Sequence, residues 1–345
     1  MRVISVVAGG ILAVAAAAVP GPASAQGLWL TGYADVEARY NKTGPDDSEF
    51  FFDNYHFNLI ALGKIYRNLF ASGEVEYEHA GDEIMLEYAF LSYTGVRNLR
   101  ISAGKFIVPF GRFNKDLHPT WINKMPDRPL GMDNVFPQTY SDVGLWLSGA
   151  AGLSGGTRVV YDAFVVNGLL GEDGGDIRGL RDNDRESLSG GGRDNNKAFG
   201  GRLGVEVGPA GFDLGASIYT GNYLDDPVTN LTLTLFGADA AWSYRGLEIR
   251  GEAVFASQDA TGGDLDKKGG YAQASYLIQG RFEPVVRFSL KDMPGEDDDR
   301  RRISFGASYY LSPSSSVRLA YHVNREDEGF ITSNNGAVAQ FNIGF

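Results

Sequence analysis

The sequence predicts an all-β protein, a transmembrane antiparallel β-barrel of about 16 strands. Three observations predict this fold. Apolar and polar residues alternate in one segment after another, the connections between these segments alternate between short and long, and the last segment alternates up to the terminal Phe345. The chain has 345 residues, of which 46 are glycine and 12% are aromatic. Such a length suits two ordinary domains or one large barrel.

Residues 1–25 have the pattern of a secretory signal peptide. Arg2 supplies a positive charge, an apolar stretch follows, and Ala23-Ser24-Ala25 forms a small-residue cleavage site. A membrane anchor is the alternative, but the apolar stretch is short and ends at Pro20. We therefore divide the chain into a signal peptide, 1–25, and an outer-membrane barrel domain, 26–345, and expect export to the bacterial outer membrane.

The segment 28–40 shows the alternation most clearly. Its even positions are apolar or small, whereas its odd positions include Asp35, Glu37 and Arg39. This period of two predicts a strand with one apolar and one polar face. Because the polar faces of later segments are also charged, they suit a water-filled lumen better than the outer sheet of a soluble sandwich. The later segments are 197–207, 247–255, 282–291 and 317–323.

The connections between strand-like segments alternate in length. We predict strands at 28–40, 51–63, 69–79, 84–94, 98–107, 141–150, 156–167, 197–207, 211–221, 230–243, 246–257, 270–279, 281–291, 302–311, 316–325 and 337–345. Short turns at one end and long loops at the other are typical of bacterial outer-membrane barrels, which have an even number of strands. Both termini fall on the short-turn side. The terminal Phe345 resembles the C-terminal signal of such barrels.

Composition excludes several classes of function. The absence of cysteine excludes disulfide frameworks, thiol nucleophiles, zinc fingers and iron–sulfur sites. A net charge of −12 argues against nucleic-acid binding through the overall field. The predicted phase turns His322 toward the lumen, and no Gly-x-Ser-x-Gly motif occurs, so a lipid-facing serine hydrolase is disfavoured. We predict no enzymatic activity and no cofactor.

Acidic clusters are the remaining candidates for ion binding. Glu74, Glu76 and Glu78 share one strand face, with His79 on the other, and we interpret them as a wet acidic stripe and not as a metal site. The histidines are scattered singly along the sequence. Asp297-Asp298-Asp299, on a predicted outer loop, could bind divalent ions that bridge lipopolysaccharide, although solvated charge is the simpler interpretation.

The segment 103–130 carries a family resemblance. Gly104-Lys105-Phe106, then Pro109-Phe110-Gly111, and a long loop reaching Arg128-Pro129 resemble the phosphate-selective porin O/P family. Lys197-Ala198-Phe199-Gly200 and Glu283-Pro284-Val285-Val286-Arg287 are similar to downstream parts of that family, so the resemblance covers nearly the whole chain after residue 25. It implies a 16-stranded porin, usually a homotrimer, whose third long outer loop folds inward.

The loop 108–140 is the predicted constriction. It is longer than most structureless loops in compact domains, and its five prolines restrict the backbone. A basic loop inside the lumen would favour anions at the narrowest point. We expect Asp116 and Asp127 to be the counter-charges of the cations. The predicted pore-constriction residues are Arg112, Lys115, Asp116, Lys124, Asp127 and Arg128.

The predicted lumen wall is mixed in charge and lacks the arginine ladder of phosphate-specific members. Its candidate lining residues are Arg39, Arg100, Arg202, Arg250, Arg287, Arg318 and Glu252. We therefore predict a passive diffusion channel for small hydrophilic solutes, with anions such as phosphate among the candidates. Its expected partners are these solutes, outer-membrane lipid and lipopolysaccharide, and two further copies of the chain. The alternative function is a non-conducting structural or adhesion barrel with a blocked lumen.

Overall fold

Sixteen strands among the residues that the structure describes close into one antiparallel barrel, which confirms the predicted fold class. The structure, a computed structural model, describes residues 27–43, 47–132, 135–136, 139–171, 177–180, 196–224, 231–293, 300–326 and 334–345. The predicted signal peptide and the acidic run Asp297-Asp298-Asp299 lie outside these residues. No helix in the described part of the chain is long and apolar enough to cross a membrane.

Neighbours in the barrel are neighbours in the chain, apart from one short hairpin, β8–β9, that lies outside the barrel sheet. Pairing of the first and last strands, with Val36 opposite Phe341, closes the barrel. The strands are β1 Leu28–Lys42, β2 Ser48–Tyr66, β3 Leu69–Glu78, β4 Glu83–Val96, β5 Leu99–Ile107, β6 Ser141–Gly152, β7 Thr157–Val166, β8 Leu169–Gly171, β9 Ile177–Leu180, β10 Ala198–Val207, β11 Phe212–Asn222, β12 Thr232–Tyr244, β13 Leu247–Gln258, β14 Leu265–Tyr276, β15 Phe282–Asp292, β16 Arg300–Ser312, β17 Ser315–Glu326 and β18 Gly336–Gly344.

The outer surface of the barrel is apolar and its inside is polar, the reverse of a soluble domain. Leu203, Phe236 and Leu319 point outward and remain more than half exposed, whereas Ser304 and Gln340 on the inner face are buried. This distribution follows from the period of two when lipid lies outside and water inside. Aromatic side chains cluster near the short-turn ends of the strands, at the position of an interfacial girdle: Trp29, Tyr66, Tyr93, Phe212, Tyr244, Tyr276, Tyr309 and Phe345.

Two elements differ from the sequence prediction. Strand β14 begins at Leu265 and not at residue 270, because Gly269 and Gly270 lie within the strand and not in a turn. They meet the constriction loop there, since a Cβ on Gly269 would lie 1.9 Å from the carbonyl oxygen of Gly131. The connection 168–196, for which no strand was predicted, contains β8 and β9. Leu169 of β8 is buried, and its N–H donates a hydrogen bond to the Tyr219 hydroxyl.

A hydrophobic core lies inside the barrel, between the loop 108–140 and the wall formed by β7 and β10 to β14. Phe110 stacks on Phe136 with ring centroids 4.7 Å apart, and Tyr140 packs edge-on against Tyr219 of β11. Burial of these rings fixes both ends of the loop against one side of the wall. The core therefore serves chiefly to hold a loop inside the lumen.

Candidate functional site

The loop 108–140 crosses the inside of the barrel and is the candidate functional site. It leaves β5 at Ile107, turns through a short π-helical segment, Phe113–Leu117, and returns to β6 at Ser141. Buried wall groups satisfy the backbone of this first turn. The Ser217 hydroxyl accepts a hydrogen bond from the Gly111 N–H at 2.9 Å, and Glu252 Oε2 accepts from the N–H groups of Arg112 and Phe113 at 3.2 and 2.8 Å.

Two wall arginines hold the second half of the loop. The guanidinium of Arg318 donates to the carbonyl oxygens of Thr120 and Trp121, the latter at 2.9 Å. The guanidinium of Arg287 donates to the carbonyl oxygens of Asp127 and Arg128 at 2.8 and 3.2 Å. The exposed fractions of Arg287 and Arg318 are only 0% and 1%. The loop therefore covers these two arginine side chains. They lie on the inner face of the barrel, where they anchor the loop and do not border open space.

The cations of the loop pair with carboxylates of the barrel wall. The Arg112 guanidinium lies 2.7 Å from Asp213 on β11, and the Lys115 ammonium lies 2.5 Å from Asp162 on β7. The Lys124 ammonium lies 2.7 Å from Glu283 and 3.1 Å from Glu248. The direct ion-pair partners of these three cations are therefore wall acids, and not Asp116 or Asp127, which the sequence predicted as counter-charges. The reason is geometric: a loop that crosses the lumen brings its side chains closer to the facing strands than to its own neighbours.

Asp127 instead joins the loop to the wall on the side of β1 and β17. Its carboxylate lies 2.8 Å from the Arg39 guanidinium and forms an ion pair with His322. Burial opposes ionisation of Asp127, but the hydrogen bond from His322 and the charge of Arg39 outweigh it and hold the pKa well below its ordinary range. These two contacts therefore favour the ionised form of the Asp127 carboxyl.

Asp116 has a different environment, although it belongs to the same loop. Its side chain is exposed to the lumen. Desolvation by the surrounding protein raises the pKa of the carboxyl against the opposing charges of Lys115 and Arg112. Together with Lys115 and Arg100, Asp116 lines a cavity of about 560 Å³ toward the short-turn end. Asp133, the remaining acid of the loop, lies outside the described residues.

The other predicted lumen residues occupy three kinds of position. The guanidinium of Arg202 donates two hydrogen bonds to the carboxylate of Asp239 in a buried bidentate contact, with N–O distances of 2.9 and 2.6 Å. Arg250 is buried beside Asn123 of the loop, whose side-chain oxygen accepts its hydrogen bond at 3.3 Å. Arg39 and Arg128 line a cavity of about 320 Å³ toward the long-loop end. The inner wall thus holds structural arginines as well as arginines that border open space.

Two of the wall acids that receive the loop cations, Asp162 and Asp213, were not predicted from the sequence. Asp162 and Asp213 lie on strands whose inward and outward positions both contain apolar residues, so alternation assigns their faces weakly. Alternation could not have placed Asp162 inside the barrel, because Phe164 shares its face and is an apolar residue that the structure buries inside, at 5% exposure. The anchoring by Arg287 and Arg318 had no sequence signal either, because the paired residues are far apart in the sequence.

The buried environment of His118 should make the stability of the barrel depend on pH. The Nδ1–H of His118 donates to the Asn114 carbonyl oxygen at 2.7 Å, and burial, aided by the positive charge of Arg128, lowers the pKa to about 3. The unfolded chain, with a pKa near ~6.5, binds the proton more readily, so acidification favours unfolding. Between about pH 6.5 and 3, we expect His118 to reduce the free energy of unfolding by ~1.4 kcal/mol per pH unit.

The variant His118→Gln tests this prediction by urea unfolding in lipid vesicles at several pH values. The other titrating groups are shared with the wild type, so they cancel when the two proteins are compared. We expect the free energy of unfolding to fall more steeply below about pH 6.5 in the wild type than in His118→Gln. Parallel profiles for the two proteins would show that His118 is not held neutral.

Comparison with known proteins agrees with this architecture. The sequence matches the Gram-negative porin family over residues 12–329. An uncharacterized protein of Aquifex aeolicus (strain VF5) is 27% identical over 255 residues, which are 70% of this chain and 54% of that protein. The chain thus spans about half the length of this relative.

Three solved structures are similar over 92% of the chain. The anion-selective porin of Comamonas acidovorans is covered over 99% of its length, with 14% identity and a TM-score of 0.64. OmpF of Salmonella typhi is covered over 97%, with 14% identity and a TM-score of 0.62. The trimer form of OmpT of Vibrio cholerae is covered over 99%, with 11% identity and a TM-score of 0.61. The family match extends over most of the barrel and includes the whole loop across the lumen. The chain therefore belongs to the Gram-negative porin family, the β-barrel channels of the outer membrane.

Proposed function

We propose that this porin is a passive diffusion channel for small hydrophilic solutes, including anions such as phosphate. The observation that carries the proposal is the loop 108–140, which crosses a lumen lined by ionised side chains and borders cavities of about 560 and 320 Å³ on its two sides. A polar interior with a narrowing loop filters solutes by size and charge without a conformational cycle. The six loop residues predicted from the sequence are proposed as the filter.

We propose only weak charge selectivity and no dedicated phosphate site. Three of the loop cations, Arg112, Lys115 and Lys124, have carboxylates within ion-pair distance, so each offers a passing anion a largely compensated charge. The resemblance to the phosphate-selective porin O/P family and the similarity to an anion-selective porin support passage of anions. The paired charges argue that phosphate crosses as one small anion among others.

The double variant Arg112→Gln/Lys124→Gln should shift selectivity toward cations. Removal of the two positive charges takes from Glu283 its ion pair with Lys124. It leaves Asp213 and Glu248 only their longer contacts with Arg202 and Arg250, at 3.9 and 3.4 Å. Fixed negative charges on low-dielectric walls attract cations. The reversal potential in a KCl gradient measures this change. An unchanged reversal potential in the double variant would contradict the assignment of these residues to the filter.

Liposome swelling distinguishes a channel from a blocked barrel. Vesicles that contain the refolded protein should swell in small sugars, at a rate that falls as the sugar becomes larger. A non-conducting structural or adhesion barrel gives no swelling with any sugar. Absence of swelling, from protein shown by protease protection to be inserted, would replace the channel proposal with this alternative.

Assembly and export complete the proposal. We propose a homotrimer, as the family resemblance implies and as described for the trimer form of OmpT. The membrane-facing side of β16, β17, β18 and β1 has a shallow apolar groove with the small residues Ala38, Ala307, Ala337 and Ala339 on its floor, which suits close contact with another barrel. We also propose that the signal peptide 1–25 is removed on export, and that the outer surface contacts outer-membrane lipid and lipopolysaccharide.

A further inference from the structure

An acidic cluster lies on the inner face of β1 to β4, apart from the wall acids that pair with Arg112, Lys115 and Lys124. It consists of six carboxylates that surround the buried side chains of His56 and Asn58 on β2. Arg39 pairs with one of them, Glu37, at 2.5 Å. The cluster is formed by Asp35, Glu37, Glu74, Glu76, Glu78 and Glu87.

His56 lies at the centre of this cluster. One of its ring nitrogens makes a hydrogen bond and the other does not. Nδ1 lies 3.0 Å from Asp35 Oδ2, so it carries a hydrogen and donates it to that carboxylate. Nε2 has no hydrogen-bond partner, although the residue is only 1% exposed. The oxygen atoms that face Nε2 are Glu78 Oε1 at 3.3 Å and Glu76 Oε1 at 3.9 Å.

This arrangement needs a positive charge between the imidazole and the carboxylates. With the hydrogen on Nδ1, a neutral His56 turns the lone pair of Nε2 toward oxygen lone pairs of Glu76 and Glu78. Such a contact in a buried site is repulsive and leaves the nitrogen unsatisfied. Either a second proton on the ring or a metal ion removes the repulsion.

We propose that His56, Glu76 and Glu78 bind one divalent transition-metal ion of the Zn²⁺ class. Their ligand atoms lie within 4.8 Å of one another. Tetrahedral zinc with bonds of about 2.1 Å places its ligand atoms roughly 3.4 Å apart, close to the spacing of Nε2 and Glu78 Oε1. An imidazole ligand selects zinc and its neighbours over Mg²⁺ and Ca²⁺, which prefer oxygen.

Asp35 supplies the outer contact that metal-binding histidines require. A ligating histidine almost always donates its other ring hydrogen to a carboxylate or carbonyl, which fixes the ring and increases its basicity. Asp35 Oδ2 does this for His56 and also accepts a hydrogen bond from the Thr120 hydroxyl at 2.6 Å. Thr120 belongs to the constriction loop, so the bound ion would connect β2 and β3 to this loop through Asp35.

The site is reachable from the outer mouth of the barrel. The Glu78 side chain remains 14% exposed, and the neighbouring residues Tyr55 and His79 line the cavity of about 320 Å³ toward the long-loop end. Glu78 is the most exposed of the three proposed ligands, since the side chains of Glu76 and His56 are 4% and 1% exposed. The bound ion would neutralise carboxylates beside the lumen, a consequence that rests on the proposed channel function, whereas binding itself does not.

Calorimetric titration with ZnCl₂ tests the proposal on the refolded, EDTA-treated full barrel in detergent. The wild type should bind one Zn²⁺ per chain, and His56→Gln and Glu78→Gln should each weaken binding by at least about 10-fold. His79→Gln is the matched control, because it removes an exposed imidazole next to Glu78 that pairs with Asp53 at 2.6 Å. This control should bind Zn²⁺ like the wild type.

Co²⁺ provides a second measurement that reports coordination directly. The wild type and His79→Gln should give the visible absorption of a low-symmetry Co²⁺ site, and His56→Gln should not. Retained migration as a folded, heat-modifiable species on gels establishes that each variant folds. No binding by the wild type, equal binding by His56→Gln, or loss in His79→Gln would each overturn the proposal. In the first case, a doubly protonated His56 satisfies the two glutamates.

Discussion

Replacement of both Arg287 and Arg318 with methionine should release the second half of the loop 108–140 and increase single-channel conductance. The two guanidinium groups together donate hydrogen bonds to four loop carbonyl oxygens. Hydrogen bonds to charged groups contribute ~1.5–3 kcal/mol each, so their loss removes the main polar attachment of this part of the loop. We expect conductance to rise roughly twofold, with larger current noise, as the loop moves in the lumen.

Methionine keeps most of the side-chain volume and removes two buried charges, so the barrel itself should persist. Arg158→Met is the matched control, because this arginine pairs with Glu206, its side chain is 57% exposed, and it does not contact the loop. Its conductance should equal that of the wild type. Unchanged conductance and noise in the double variant would mean that the aromatic core alone holds the loop.

The substitution Asp127→Asn should destabilise the barrel and shift its selectivity toward anions. It removes the carboxylate that contacts Arg39 and His322, and it leaves the guanidinium of Arg39, which borders the outer cavity, with Glu37 as its remaining ion pair. Loss of one partner from a buried charge network costs about 3–5 kcal/mol of unfolding free energy. Urea unfolding in lipid vesicles measures the stability, and the reversal potential in a KCl gradient measures the selectivity.

The pH dependence of this variant has a defined sign. The pKa of Asp127 in the folded barrel lies below the value of about 3.9 for an unfolded aspartate, so its stabilising contribution is complete above about pH 4. As pH falls below that value, the difference between the wild type and Asp127→Asn should shrink. Asp53→Asn is the control, because it interrupts the exposed pair with His79 and should cost at most ~1 kcal/mol. Equal losses in the two variants would contradict the role given to Asp127.

The barrel could be predicted from the sequence because its signals are local. Whether Asp35, Glu37 and Arg39 face the lumen depends only on the period of two within β1. The number of strands and the alternation of short and long loops follow from the positions of turn residues along the chain. The predicted start of β14 at residue 270 was wrong, because a glycine such as Gly269 marks a turn as well as a site where another backbone approaches closely. The structure shows the second case.

The contacts of the loop could not be predicted, because they depend on three-dimensional proximity. The distribution of charge within 108–140 predicted a basic constriction, but Lys115 and Lys124 meet wall acids that are distant in the sequence. His56 and Glu78 are far enough apart in the chain to have been treated separately, and the pairing of β2 with β3 places them opposite each other. Selectivity and ion binding therefore depend on strand register. The alternation pattern predicts which face of a strand a residue lies on, but not which residue of the neighbouring strand lies opposite it.

Single-channel current from the refolded wild type in a planar bilayer tests the central claim most directly. We predict stepwise currents in groups of three that rise linearly with voltage, a reversal potential close to zero in a KCl gradient, and no block by added phosphate. A strongly displaced reversal potential or phosphate block would contradict the paired-charge filter proposed for Arg112, Lys115 and Lys124. No current from protein shown to be folded and inserted would contradict the channel itself.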